Sequence, residues 1–165
     1  MIATLQAAPR GITATFERHY KHSVDKLWAM LTDNELLAKW FPELRALDLS
    51  AGGSMIFDMA DGSSIVMEIK DIKVNSILEY VWGNDSVRFE LNPDGDGTRL
   101  LLIESISEIT SHTAKDLSGW HVCLDVIGVL LDGEELRNRK KVWEQWFVEY
   151  TRLVEEFRFT RTNRG

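Results

Sequence analysis

The chain has 165 residues, 44% of them apolar and including six Trp and seven Phe, which suits one domain with a sizeable core. Nineteen Lys and Arg against 26 Asp and Glu give a formal charge of −7, which disfavours unaided binding to nucleic acid or to an anionic membrane surface. The single cysteine, Cys123, excludes an internal disulfide and a multi-thiolate zinc site, and the reducing cytoplasm is its natural setting.

The opening residues lack the basic start and long apolar stretch of a signal peptide, and no apolar run reaches the ~18 residues of a membrane span. After a start expected to be frayed, Ile12 to Tyr20 alternates as a strand. Ser23 offers an N-cap for a helix through Val24, Leu27, Trp28 and Leu31, and a short second helix, Glu35 to Trp40, stops at Phe41-Pro42. From Leu44 to Ile109 the chain reads as a meander. Turns at 51–53, 61–62, 83–85 and 92–97 separate strands Arg45–Leu49, Ser54–Met59, Ser64–Ile72, Ser76–Trp82, Val87–Leu91 and Thr98–Ile109. The connections are short, so about seven strands pair antiparallel around one oily face.

Thr113 and Asp116 have capping-box spacing ahead of the longest apolar run, Gly119 to Gly133. In that helix only His121, Asp125, Gly128 and Asp132 are polar or bare, and they share a stripe roughly 60° wide that is expected to face water. The rest needs cover on several sides, and Cys123 reads as a small core hydrophobe. A further amphipathic helix, Asn138 to Phe157, can supply part of that cover, and the end, Arg158 to Gly165, reads as a basic frayed tail.

These elements give an α+β plan: a curled antiparallel sheet around a long helix, two short helices after the first strand, and an extra C-terminal helix. The segment SVDKLWAMLTDNELLAKWFP, the LSAGG turn, the DGTRLLLIES strand and GWHVCLDVIGVLLDG occur in that order. Together they resemble the START-related, birch-pollen-allergen-like helix-grip superfamily, and within it the bacterial AHSA-like branch named after the activator of heat-shock-protein ATPase. The resemblance covers roughly residues 12–157, the core of a single helix-grip domain spanning 1–165. It departs from the family pattern at Ile127-Gly128 and in a longer Arg137 to Trp146 region.

The resemblance implies a ligand class rather than an activity, because members of the superfamily bind lipids, hormones or polyketides, act as cyclases, or touch chaperones. The leading expectation is a small hydrophobic or amphipathic ligand held between sheet and long helix. Its walls would come from Phe16, Trp28, Trp40, Met55, Phe57, Met67, Trp82, Phe89, Trp120 and Leu124, which also serve as core. Under Trp120 and Leu124 is the place to look. The alternatives are a module that contacts a heat-shock chaperone and an enzyme of the cyclase or hydrolase type. The chaperone reading lacks the additional amino-terminal domain of full-length co-chaperones.

The residues mark out no catalytic set; Glu104 and His121 are the groups that could serve as acid or base. Whether Glu104 faces the concavity depends on a register that one residue reverses. His19 and His22 read as solvated, and neither a metal site nor another cofactor is expected. The basic run Arg137, Arg139, Lys140, Lys141 reads as a solvated helix start that could touch an acidic partner.

Overall fold

A computed structural model describes residues 1–164. The strands are β1 (Thr4–Ala8), β2 (Gly11–Tyr20), β3 (Leu44–Asp48), β4 (Ser54–Asp58), β5 (Ser64–Lys73), β6 (Ile77–Trp82), β7 (Asp85–Asp94) and β8 (Gly97–Ile106). The helices are α1 (Val24–Thr32), α2 (Asn34–Trp40), α3 (Thr113–Leu131) and α4 (Arg139–Arg164). One antiparallel sheet has the order β1-β2-β8-β7-β6-β5-β4-β3 and leaves β1 and β3 as open edges. This is the α+β, helix-grip arrangement that the sequence implies, with eight strands rather than about seven.

The additional strand is β1, where a frayed start was expected. It is pinned at both ends: Ala8 pairs with Gly11 across a tight turn, and the Ala3 amide donates to the Tyr150 hydroxyl on α4 at 3.0 Å. The expected tail at the other terminus is also ordered, since α4 continues past Phe157 to Arg164; Gly165 lies outside the described residues. The broad turn expected at 92–97 shrinks, because Asn92, Pro93 and Asp94 pair with Arg99, Thr98 and Gly97 and extend both strands. Only Gly95 and Asp96 remain to reverse the chain.

Alternation decides which side chains meet α3. On β8, Thr98, Leu100, Leu102, Glu104 and Ile106 are all buried on the concave face, and β2 matches them with Ile12, Ala14 and Phe16. Glu104 therefore faces inward, in register with Ala14 and Val87. The expected capping box at the start of α3 does not form. His112 is the N-cap, Thr113 Oγ1 accepts from the Thr110 amide, and Asp116 turns instead to Trp82 on β6.

The stripe on α3 that was expected to face water is mostly covered. His121 is buried under α4, and Gly128 lies against the Tyr20 ring. Only Asp132, paired with His22, stays exposed. The reason is that α4 docks along this flank of α3, so polar groups there find protein partners instead of water. A Cβ built on Gly128 would sit 3.1 Å from Tyr20 Cε1, and that ring is held by its hydroxyl donating to the Leu124 carbonyl.

Gly119, on the same helix, has no such neighbour; the nearest atom to an added Cβ is Trp143 Nε1 at 4.0 Å. The two glycines therefore respond oppositely to alanine. Gly119→Ala should stabilise the fold by up to about 1 kcal/mol through helix propensity. Gly128→Ala should destabilise it by roughly 1 kcal/mol, because overpacking against the fixed Tyr20 ring outweighs the propensity gain. Thermal unfolding of the two variants reads the sign directly, and equal shifts would contradict this account of Gly128.

Candidate functional site

Between sheet and α3 a cluster of aromatic rings packs together. Trp120 of α3 meets Trp82, Phe89 and Phe41 at ring centroid separations of 5.0, 5.9 and 5.8 Å, and Phe57 closes on Phe41 and Trp82 at 5.9 Å each. Such tilted and edge contacts are the favoured aromatic geometries and stabilise a packed core. Of the residues expected to wall a ligand, Phe16, Trp40, Met55, Met67, Phe89 and Leu124 are fully buried in this packing, while Trp28 and Phe57 sit half-buried at its margin.

A cavity of about 460 Å³ opens on a neighbouring flank of α3. Its walls come from four places: Phe41 and Glu43 after α2, Trp82 at the end of β6, Asp116 to Cys123 along α3, and Arg139, Lys140 and Trp143 at the start of α4. Trp82 and Trp120 are the two expected ligand-binding residues on its wall. Leu124 does not line this cavity. Sequence reasoning passed over Trp143 and Arg139 because amphipathic periodicity assigned one to a generic apolar stripe and the other to a solvated helix start.

Local chemistry explains why these side chains are fixed. The Phe41-Pro42 corner ends α2, and the last α2 residue, Trp40, donates from Nε1 to the Met30 carbonyl at 2.7 Å. The Trp40 carbonyl in turn accepts from Arg139 Nη2 at 2.8 Å, and the same guanidinium nitrogen lies 3.4 Å from Cys123 Sγ. Arg139 therefore ties α4 to the end of α2 and to α3. Burial pushes the Cys123 thiol up to about 12, so it remains protonated and is no thiolate nucleophile.

At the other end of the cavity the indole Nε1 of Trp82 donates to Asp116 Oδ1 at 3.0 Å. Behind Asp116 lies Glu104, buried, with Oε1 lacking a hydrogen-bond partner among the described residues. Burial first, then a hydrogen bond with Asp116 and the negative charges of Asp116 and Asp85, hold the Glu104 carboxyl well above the usual carboxylate range. It does not line the cavity itself.

His121 belongs to a different group of residues. Its Nδ1 lies 2.6 Å from the Tyr150 hydroxyl and 3.2 Å from Arg18 Nη2, and its Nε2 lies 3.5 Å from Asp125 Oδ2. A guanidinium can only donate, so Nδ1 is the acceptor and the single ring proton sits on Nε2, towards Asp125. The Trp146 ring covers the imidazole at 3.7 Å. Burial and then the Arg18 charge lower the His121 pKa to about 3. The group joins β1, β2, α3 and α4 and has no share in the cavity wall.

Among the described residues no set of three His, Cys, Asp or Glu is placed to hold a metal ion. His19 and His22 pair instead with Asp94 and Asp132, at 2.8 and 2.7 Å. Among the described residues no helix is long and apolar enough to cross a membrane.

The depressed His121 pKa makes stability pH-dependent with a defined sign. Unfolded, the imidazole takes up a proton near pH 6.5, whereas the folded form refuses it until about pH 3. Its contribution is complete above pH 6.5 and lost as pH falls towards 3. In His121→Gln the stability difference from the parent protein should therefore shrink steadily between pH 7 and pH 4, measured by denaturant unfolding at each pH. A constant difference would mean that His121 titrates normally in the fold.

Residues 21–132 match the family described as Activator of Hsp90 ATPase homolog 1-like protein. A search of the curated proteins found no match. The conserved protein of unknown function EF2215 from Enterococcus faecalis is similar in structure, with TM-score 0.76, 24% identity, and 92% of this chain and 91% of that one covered. So is CalU16 from Micromonospora echinospora, with TM-score 0.73, 21% identity and 92% and 95% coverage. The protein encoded by BPP1335 from Bordetella parapertussis has TM-score 0.69, 20% identity and 91% coverage of each chain. The family match ends before α4, so Arg139, Lys140 and Trp143 on the cavity wall lie beyond the matched segment.

Proposed function

We propose, from the premise that this chain belongs to the Activator of Hsp90 ATPase homolog 1-like family, that it binds a small, largely apolar molecule in the cavity between α3 and the start of α4. The observation that carries this reading is the cavity itself. Its volume of about 460 Å³ suits a small molecule, and the aromatic side chains Phe41, Trp82, Trp120 and Trp143 line it with few polar groups between them. The ligand would lie beside the long helix, outside the packed space between helix and sheet. A reducing, cytoplasmic setting suits the single buried thiol on its wall.

The two other readings have less support. The acid or base groups of the enzyme reading, Glu104 and His121, both stand off the cavity wall. A heat-shock chaperone as partner rests on the family description alone.

Gly119 gives the test, because it leaves the middle of the α3 wall bare. Thermal-shift screening with small aromatic and lipid-like compounds should find ligands that stabilise the protein. Saturation at a hundredfold excess over Kd yields about 2.7 kcal/mol, a shift of several degrees. Gly119→Leu should fill the cavity, leave the protein folded and abolish the shift. If no compound stabilises the parent protein, or Gly119→Leu binds the same compounds equally well, the ligand site is not this cavity.

A further inference from the structure

The cavity has two chemically unlike ends. At one end Asp116 accepts a hydrogen bond from the Trp82 indole, with the buried Glu104 behind it. A carboxylate offers about four lone-pair sites, so after that bond it retains acceptor capacity on the wall that it lines. At the other end stand Arg139 and Lys140. Arg139 uses one nitrogen, Nη2, on the Trp40 carbonyl and Cys123 Sγ, and a guanidinium carries five N–H donors in all.

Arg139 marks the level of Cys123 on α3, seven residues beyond Asp116. At ~1.5 Å per residue the two ends are about 10 Å apart. Between them lie the rings of Phe41, Trp82, Trp120 and Trp143 and the bare Gly119. Trp82 cannot swing freely, because its indole N–H is committed to Asp116.

We infer that this cavity takes a flat aromatic molecule with a hydroxyl at one end, which donates to Asp116, and an anionic group at the other, held by Arg139 and Lys140. The inference rests on the cavity being a binding site. A hydroxyl suits the Asp116 end because it gives a hydrogen bond without bringing a further charge into an apolar space. An anion suits the far end because two basic side chains, one of them already anchored, outnumber the single acid there, Glu43. The flat body matches walls made of ring faces and edges about two helical turns in length.

Four probes test it by calorimetry or fluorescence titration: a naphthoate with a hydroxyl on the far ring, the parent naphthoate, naphthol and naphthalene. The hydroxynaphthoate should bind at least about tenfold more tightly than either singly substituted probe, since a site shaped to pair with a hydroxyl discriminates against its loss. Asp116→Ala should erase the advantage of the hydroxyl, so that hydroxynaphthoate binds no more tightly than naphthoate, and its cooperative thermal unfolding reports that the variant is folded; a retained advantage of about tenfold would overturn the assignment of Asp116. Lys140→Gln and Arg139→Gln should weaken both carboxylates and spare naphthol. Equal binding of all four probes would overturn the two-ended assignment and leave the cavity as a binding site. Binding of none, with Gly119→Leu indistinguishable from the parent protein, would overturn both readings.

Discussion

The structure depends on the burial of α3. Nearly every side chain from Leu117 to Ile127 is withdrawn from water, including Trp120, Cys123 and His121. A helix this apolar cannot rest on a single surface; a sheet covers only one side of a cylinder about 10 Å across. The concave sheet takes Leu117, Trp120, Leu124 and Ile127, and α4 must supply the remaining cover. The cavity exists where that second cover is incomplete, at the start of α4, where Trp143 stands opposite a glycine instead of a side chain.

Polar groups inside the fold divide into two sets with different consequences. Arg18, His121, Asp125 and Tyr150 pair with one another and so fix how α4 lies on α3. Glu104 and Asp116 form the second set, in which burial and the neighbouring negative charge raise the pKa of Glu104 behind Asp116, which lines the cavity wall. A network of paired groups specifies an orientation, whereas a carboxylate with spare acceptor capacity can recognise something from outside. This contrast separates the structural role of His121 from the recognition role proposed for Asp116.

Much of the fold was legible in the sequence, because alternation and turn chemistry are local signals. The strands from Arg45 to Trp82, the Asp33 region between the short helices and the long apolar helix all lie within a few residues of their expected places. β1 was missed because Thr4–Ala8 carries little apolar alternation; its pairing with β2 and the Tyr150 hydroxyl hold it, and both are tertiary facts. The same reason explains the misread stripe on α3: polar identity predicted exposure, but Arg18 and Tyr150, remote in sequence, supply the partners that let His121 be buried. At the site, Trp82 and Trp120 could be picked out as large aromatics. Which aromatics line a space and which fill one is decided by helix packing, beyond the reach of periodicity.

The hydrogen bond from Ala3 to Tyr150 spans 147 residues, nearly the whole chain. Closing a loop of that length costs entropy that grows with the logarithm of its size, unless hairpins have already shortened it. The β1–β2 and β7–β8 pairings and the β2–β8 ladder perform that shortening, so docking α4 costs least entropy once the sheet has formed. The outer wall of the cavity therefore leans on the sheet for more than its contacts: the sheet also brings together the distant segments that hold α4 in place.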